Sequence, residues 1–213
     1  MTRESSMIRV LGRQTSGNVQ KVVFMLDEIG VPYAREDYGR QFANTQTPEY
    51  LSLNPNGKVP TLVDGDTIIW ESNTILRYLA ATHAPQLTGA TPAEASEVER
   101  WMDWLLASVN TAYVAVFKDS PKPAEERAPE FAAQAKELAA ALAIADGHLQ
   151  GKEWFALGRM TIADIALAPI FKRCLGFPID RPAFAALDRW MGAIASRPAF
   201  QSATGAKPAA SAA

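Results

Sequence analysis

Three short segments in the first part of the chain place hydroxyl, amide, carboxylate and ammonium groups where they could hold a small charged ligand. The first is Arg13-Gln14-Thr15-Ser16-Gly17-Asn18-Val19-Gln20-Lys21, which follows a short apolar run and opens a helical pattern. Free backbone N–H groups and the positive dipole end favour an anion above such a helix start. The hydroxyls of Thr15 and Ser16 and the amide of Asn18 would point at it, although Ser16 or Asn18 would serve equally as an N-cap. The second segment is Asn54-Pro55-Asn56-Gly57-Lys58-Val59-Pro60. Asn-Gly favours a turn, and Val59-Pro60 leads into a strand pattern. An X-Pro bond can be cis at a cost of about 0.5–1 kcal/mol. In cis, Val59 would turn its N–H and C=O outward, to pair with an extended peptide as an added strand; an ordinary trans proline at a strand start is the alternative. The third segment is Trp70-Glu71-Ser72-Asn73. Either Glu71 or Ser72 would cap the following helix, or the two together would hold a zwitterionic amino-acid end. In that case Glu71 faces the ammonium, while Ser72 and the helix N–H groups face the carboxylate.

Composition narrows the chemistry further. The 213 residues contain one cysteine, Cys174, and two histidines, His83 and His148. An internal disulfide, a Cys-x-x-Cys redox pair and a cysteine-rich zinc site are therefore excluded, and a histidine-rich metal cage is not expected. Cys174 lies in an apolar helical stretch, where a buried small hydrophobe is its default role. Any thiol chemistry must borrow its sulfur from elsewhere. With 21 Lys+Arg against 23 Asp+Glu, the chain lacks the basic bias of a nucleic-acid binder. No apolar run approaches the ~18 residues of a membrane span, and the first residues lack a signal-peptide apolar region. The expectation is a cytoplasmic protein with no metal, nucleic-acid or membrane partner.

The elements that must position these segments fall into two parts. Met7–Leu11 reads as a strand ended by Gly12. Val19, Val22, Val23, Leu26 and Ile29 share one face of a helix over 18–29, with Gly30 as its C-cap and Pro32 beyond. A second strand is expected over 33–37. Residues 60–63 and 67–70 flank Asp64-Gly65-Asp66 as a hairpin, and a helix over 72–82 follows. The order is βαβ, a loop-rich crossover, then ββα, a small α/β layer on four strands. From residue 84 to 91 the chain reads as a linker, with Pro85, Gly89 and nearby Pro92.

Beyond the linker almost everything is helical. Thr91 as N-cap, Pro92 at N1 and Glu94 at N3 form a capping-box start for a helix running to about Phe117. Further helices are expected over 129–149, 161–173 and 183–196. Thr161 and Asp164 form a second capping box, with Met160 and Ile165 as its hydrophobic staple. From Ser202 onward the sequence has no apolar periodicity and reads as a loose tail. The domain expectation is 1–83, a linker over 84–91, a helical domain over 92–201, and a tail over 202–213.

A Ser near the start of helix one, a Val-Pro entering strand three, Glu-Ser opening helix three, and the capping box within Gly158-Arg159-Met160-Thr161-Ile162-Ala163-Asp164-Ile165 together resemble a glutathione transferase. The resemblance covers roughly residues 7 to 200 and is nearest the bacterial, theta-related and nu-like groups. It implies a thioredoxin-like α/β N-terminal domain plus an all-α C-terminal domain. It implies glutathione as co-substrate, with the Ser16 hydroxyl and the Asn18 amide on the sulfur and Thr15 as the alternative hydroxyl. The Val59 backbone would pair with the cysteinyl unit, Lys58 and Gln41 would meet the glycyl carboxylate, and Glu71 and Ser72 would hold the γ-glutamyl end. Tyrosine- and cysteine-type subgroups fit poorly, because no Tyr precedes Val31 and the loop has no Cys. The hydrophobic electrophile would sit between the domains, with Trp101, Trp104, Tyr113 and Phe117 as candidate lining or as core. Asp103 is a candidate to reach a partner subunit's glutathione, and a homodimer is implied.

The implied chemistry has a definite size. A free thiol titrating near 8.5 is only about 3% thiolate at pH 7. Lowering that pKa by about two units takes ~2.7 kcal/mol of differential interaction, within reach of two hydrogen-bond donors and a helix start. The leading reading is conjugation of glutathione to small hydrophobic electrophiles, with detoxification as its setting. Two others compete: a glutathione-dependent disulfide oxidoreductase or peroxidase that needs no protein cysteine, and a non-catalytic glutathione-binding module.

Overall fold

The computed structural model describes residues 7–205. They divide into two compact units, one of residues 7–87 with 195–205 and the other of residues 88–194.

The first unit is built on a four-stranded mixed sheet in the order β2-β1-β3-β4. Strand β1 is Ile8–Leu11, β2 is Tyr33–Glu36, β3 is Thr61–Asp64 and β4 is Thr67–Trp70. β1 runs parallel to β2, with Val10 opposite Arg35, and antiparallel to β3, with Val10 opposite Leu62. β3 and β4 form the hairpin through Asp64-Gly65-Asp66-Thr67, with Gly65 at φ +58°. The parallel β1–β2 pair needs a crossover, and helix α1, Gly17–Ile29, supplies it. Val19, Val22, Val23 and Leu26 are buried along it. Gly30 adopts the left-handed conformation at φ +68° and its N–H bonds the Leu26 carbonyl, which ends α1. Helix α3, Ser72–His83, buries Ile75, Leu76 and Leu79 and packs against α1.

The crossover between β2 and β3, expected as loop, contains a short helix, α2, Pro48–Leu53. Its start was written in Thr47, whose side chain accepts from the Tyr50 N–H, and in Pro48 at the first helical position. Six residues are too few to show an apolar period.

The second unit is helical: α4, Pro92–Trp104; α5, Asn110–Asp119; α6, Phe131–His148; α7, Ile162–Leu175; and α8, Ala185–Ala195. The long helix expected from Thr91 to Phe117 is interrupted by a π-type turn at Leu105–Val109. Thr91 caps α4 as expected, accepting from Glu94 N–H at 3.2 Å, but the Glu94 carboxylate reaches back to Ala90 N–H at 2.8 Å rather than to Thr91. The second capping box is complete. Asp164, fully buried, accepts from the Thr161 N–H at 2.9 Å, the Thr161 hydroxyl at 3.1 Å, the Phe155 N–H at 3.1 Å and the Trp190 indole N–H at 2.9 Å. One carboxylate thus ties the start of α7 to α8 and to the preceding loop. Asp146 of α6 likewise accepts from Ala186 and Leu187 N–H at 2.8 and 2.9 Å, satisfying the start of α8.

The tail expected from residue 202 is corrected by the structure. Helix α9, Pro198–Thr204, continues through that point, and Phe200 meets Phe24 of α1 edge to face at 5.1 Å between centroids. Arg197 forms a two-pronged ion pair with Glu28 at the end of α1. Residues 195–205 therefore belong with the first unit, not with the helical domain to which residues up to 201 were assigned. A seven-residue helix held by one aromatic and one ion pair carries little local signal. Among the described residues, no helix is long and apolar enough to cross a membrane.

Replacing Asp164 by Asn puts an N–H donor against four donors in a dry interior. Asp164→Asn should lower the unfolding free energy of the chain by about 2–4 kcal/mol, read as a shift of the urea midpoint.

Candidate functional site

Helix α1 starts in an unusual way. Ser16 is its N-cap, extended at φ −83° and ψ 123°, yet its side chain accepts no bond from the helix. The backbone does the work instead: the Ser16 carbonyl accepts from Gln20 N–H at 2.9 Å, and the Ser16 N–H reaches the Arg13 carbonyl at 3.1 Å. A serine hydroxyl in that position normally satisfies an orphan helix N–H. Here the hydroxyl makes no cap bond, on a residue only 8% exposed.

The Val59 loop comes close to this helix start because Gly12 has no side chain. A Cβ on Gly12 would fall 2.4 Å from Val19 Cγ2 and 3.2 Å from Val59 Cβ. The Val59–Pro60 bond is cis, and the Val59 N–H and C=O enter no hydrogen bond with the described residues. The loop in front of it is fixed from beneath. Asn54, 2% exposed, donates to the Lys58 carbonyl at 2.8 Å and to the Thr61 hydroxyl at 3.1 Å. Tyr50 donates to the same carbonyl at 2.6 Å.

Between these parts lies a cleft of about 270 Å³ that Ser16, Asn18, Lys58 and Val59 line together with Arg13 and Arg40. It contains three cationic side chains and no acidic one. Of the residues singled out in the sequence, Ser16, Asn18, Lys58 and Val59 are thus brought together. Thr15 and Gln41 are exposed and do not line the cleft; Gln41 sits in the middle of a 3₁₀ turn, Arg40–Phe42. Arg13 and Arg40 are additions. Arg13 stood within the first segment as a flanking residue, and Arg40 is displayed by backbone at φ +43° beside Gly39 at φ +87°, which no sequence pattern announces.

Glu71 and Ser72 lie outside the lining of that cleft, at the start of α3. Glu71 is the N-cap at φ +69° and ψ 115°, and its side chain makes no cap bond. A non-glycine residue held there costs roughly 1–3 kcal/mol. The Glu71 carbonyl still accepts from Ile75 N–H at 2.9 Å, while the side chain is turned out to solvent. Ser72 is 4% exposed. A second helix start thus leaves its carboxylate unused by the fold.

Lys21 escaped notice as a site residue. It lies on α1 and is 1% exposed. Burial pushes its ammonium down to about 7, and the Glu71 carboxylate pulls in the other direction. The Cys174 thiol is fully buried in α7 and pushed up by burial, so it offers no reactive thiolate.

The candidates for an electrophile site lie in the second unit. Trp101 meets Trp104 at 5.3 Å, His148 at 4.3 Å and Phe155 at 5.0 Å between centroids, within an aromatic network that continues to Phe171 and Trp190. Tyr113 and Phe117 form a separate cluster with Phe177, with the Arg173 guanidinium over the Phe117 ring at 5.4 Å and donating to the Tyr113 hydroxyl at 3.2 Å. Asp103 is exposed.

A thioredoxin-like sheet carrying a cationic cleft beside a cis-proline, in one chain with an all-helical unit, defines a class of two-part proteins, α/β followed by all-α. The comparisons specify which. The model of the glutathione S-transferase N-terminal domain matches residues 8–81, and that of the C-terminal domain matches residues 106–198. The chain belongs to the glutathione S-transferase family. It is 36% identical over 200 residues to glutathione S-transferase GstB of Escherichia coli K12, covering 92% of this chain and 96% of that one. The crystal structure of a theta class glutathione S-transferase from Xanthomonas axonopodis pv. citri with glutathione bound superposes at a TM-score of 0.88, with 37% identity over 92% of this chain and 96% of the other. A glutathione transferase family member from Pseudomonas fluorescens pf-5 with two glutathione bound superposes at 0.82, with 26% identity over 95% and 94%.

The buried ammonium has a consequence for stability. Burial holds the folded Lys21 ammonium at about 7, against the ordinary lysine value of 10.5, so folding disfavours its charged form. That penalty is full below pH 7 and fades as pH rises from 7 to 10.5. Lys21→Met should therefore raise the thermal midpoint of the ligand-free protein at pH 6, and the gain should shrink by pH 9.

Proposed function

We propose that this glutathione transferase activates glutathione through Ser16 and joins it through its sulfur to small hydrophobic electrophiles. The observation that supports this most directly is the Ser16 hydroxyl, released from helix capping and set in a cleft with three cations and no acid. Asn18 supplies a second donor beside the sulfur. The open N–H and C=O of Val59 pair with the cysteinyl unit of the extended peptide. Lys58, with Arg40 in place of the expected Gln41, meets the glycyl carboxylate. Glu71 and Ser72 take the γ-glutamyl ammonium and carboxylate.

In this mechanism the protein's own groups do two things. Ser16, Asn18 and the start of α1 favour thiolate over thiol, and the cationic cleft lowers the cost of bringing a multiply charged peptide to a partly buried place. The thiolate then attacks the electrophile and expels its leaving group, and no protein side chain has to form a covalent bond. A homodimer is part of the same reading. Ile68 and Trp70 are 42% and 39% exposed on the edge strand β4, and an apolar edge of that kind needs a cover.

Ser16→Ala should lower kcat/KM for glutathione with 1-chloro-2,4-dinitrobenzene by about 10–100-fold and move the pH–rate midpoint up toward that of the free thiol. An unchanged rate and midpoint would remove Ser16 from the mechanism.

A second reading is favoured by the Pseudomonas fluorescens relative that holds two glutathione molecules. In it, two glutathiones reduce a small disulfide and leave as glutathione disulfide. Turnover of 2-hydroxyethyl disulfide well above conjugation of the chlorinated aromatic would select that reading; the reverse ratio selects conjugation.

A further inference from the structure

We infer that Arg13 is a binding residue for the terminal carboxylate of the thiol peptide, and that it makes the protein selective for peptides whose residue after the cysteine ends in a free carboxylate. The inference rests on reading the cleft between Ser16 and Val59 as the place of the cysteinyl and glycyl units.

Arg13 is held at this cleft by its own backbone. Its N–H donates to the Tyr38 carbonyl at 3.1 Å, and its carbonyl accepts from the N–H of Ser16, the N-cap of α1, also at 3.1 Å. The residue thus ties the stretch after β2 to the start of α1. Its side chain reaches Gly39. A Cβ on Gly39 would lie 3.0 Å from Arg13 Nη1 and 3.5 Å from Val59 Cγ1. The guanidinium and the Val59 side chain therefore flank one spot, and a side chain at residue 39 would crowd the guanidinium. Arg13, Gly39 and Val59 line the same cleft.

The other two cations of the cleft stand on the same frame. The Tyr38 ring packs on Tyr50 at 5.0 Å between centroids, and the Tyr50 hydroxyl donates to the Lys58 carbonyl at 2.6 Å. The Asn44 side chain accepts from the Gly39 N–H and donates to the Asp37 carbonyl, each at 3.0 Å, which fixes the turn that presents Arg40. The acidic residues just before that turn are engaged elsewhere, Glu36 with Arg9 and Asp37 with Arg35. Three like charges sharing a cleft repel one another, and an anion among them removes that cost. Arg40 and Lys58 are exposed, whereas Arg13 is half-buried. A charge partly withdrawn from water acts more strongly on a ligand than an exposed one.

A peptide paired with the Val59 N–H and C=O has its next residue about 3.5 Å further along, and the arginine fork lies against the Val59 side chain. A planar guanidinium meets a carboxylate with two parallel N–H bonds, which an ammonium cannot do. A terminal amide presents a single acceptor oxygen and no charge, so it cannot complete that pair.

The experiment compares two ligands on the full chain by titration calorimetry at pH 7.5. One is S-methylglutathione, which removes thiol ionisation from the readout. The other is the same peptide with its glycyl carboxylate converted to the amide. Arg13→Gln should weaken S-methylglutathione about tenfold or more, the scale of a charge-assisted pair that loses one partner, and change the amide less than twofold. Arg13→Ala should do the same, so that the result does not depend on one variant folding, and Arg13→Lys should weaken S-methylglutathione less than either. Parent-like affinity of the Gln and Ala variants for S-methylglutathione would overturn the inference, and so would equal weakening of both ligands. Parent-like binding combined with a raised pH–rate midpoint for glutathione would assign the charge to the sulfur and overturn it as well. If the parent protein bound neither ligand, the glutathione reading of the cleft would fall and take the inference with it, a result distinct from a parent that binds while the variants match it.

Discussion

The structure depends on two helix starts that are not closed by their own side chains. An N-cap serine and an N-cap glutamate each hold back the group that would ordinarily satisfy the first turn. Helix N–H groups left open at the surface carry partial positive charge, and they can be kept so only if the rest of the unit holds the two helices in place. The four-stranded sheet does this from below, with α1 and α3 packed together on it. Stability is drawn from buried valine, leucine and isoleucine along both helices, which frees their ends for binding.

The same logic governs the loop that carries Val59. An N–H and a C=O that make no bond within the fold are costly when withdrawn from water, and the chain tolerates them at the rim of a cleft where an extended peptide would pair with both. Asn54 and Tyr50 clamp the neighbouring Lys58 carbonyl, so the loop cannot relax inward to satisfy Val59 by itself. Gly12 adds a steric condition, since any side chain there would push the loop away from α1. Binding groups are thus pre-set by interactions that involve none of them directly. The second unit shows the complementary strategy in Asp164, whose two oxygens are consumed entirely by donors within the fold. That sets it apart from the Glu71 carboxylate, which makes no cap bond at the start of α3.

Much of the site was readable because its groups lie at element boundaries, which have local chemistry. Ser16, Asn18, Val59, Glu71 and Ser72 each sit within a few residues of a helix start or a strand start, where cap and turn preferences mark the place. What escaped was set by folding over distance. Arg40 enters the cleft because Gly39 and Arg40 both take positive φ, while its neighbour Gln41 is carried away. Lys21 looked like one polar residue in an amphipathic helix, and only the packing around α1 makes it a buried charge. Helix α2 is too short for periodicity, and α9 is defined by contacts with α1.

The sequence alone determined the class of fold, the presence of a single cysteine, and the two segments whose Ser16, Asn18, Lys58 and Val59 line the cleft. Those properties follow from period, capping and composition, which act within a few residues of the chain. The tertiary structure decided which cations share the cleft, that the chain returns at α9 to its first unit, and that the Lys21 side chain is buried. Those depend on contacts between residues tens of positions apart, where the energy of a pair is set by packing that no local preference encodes.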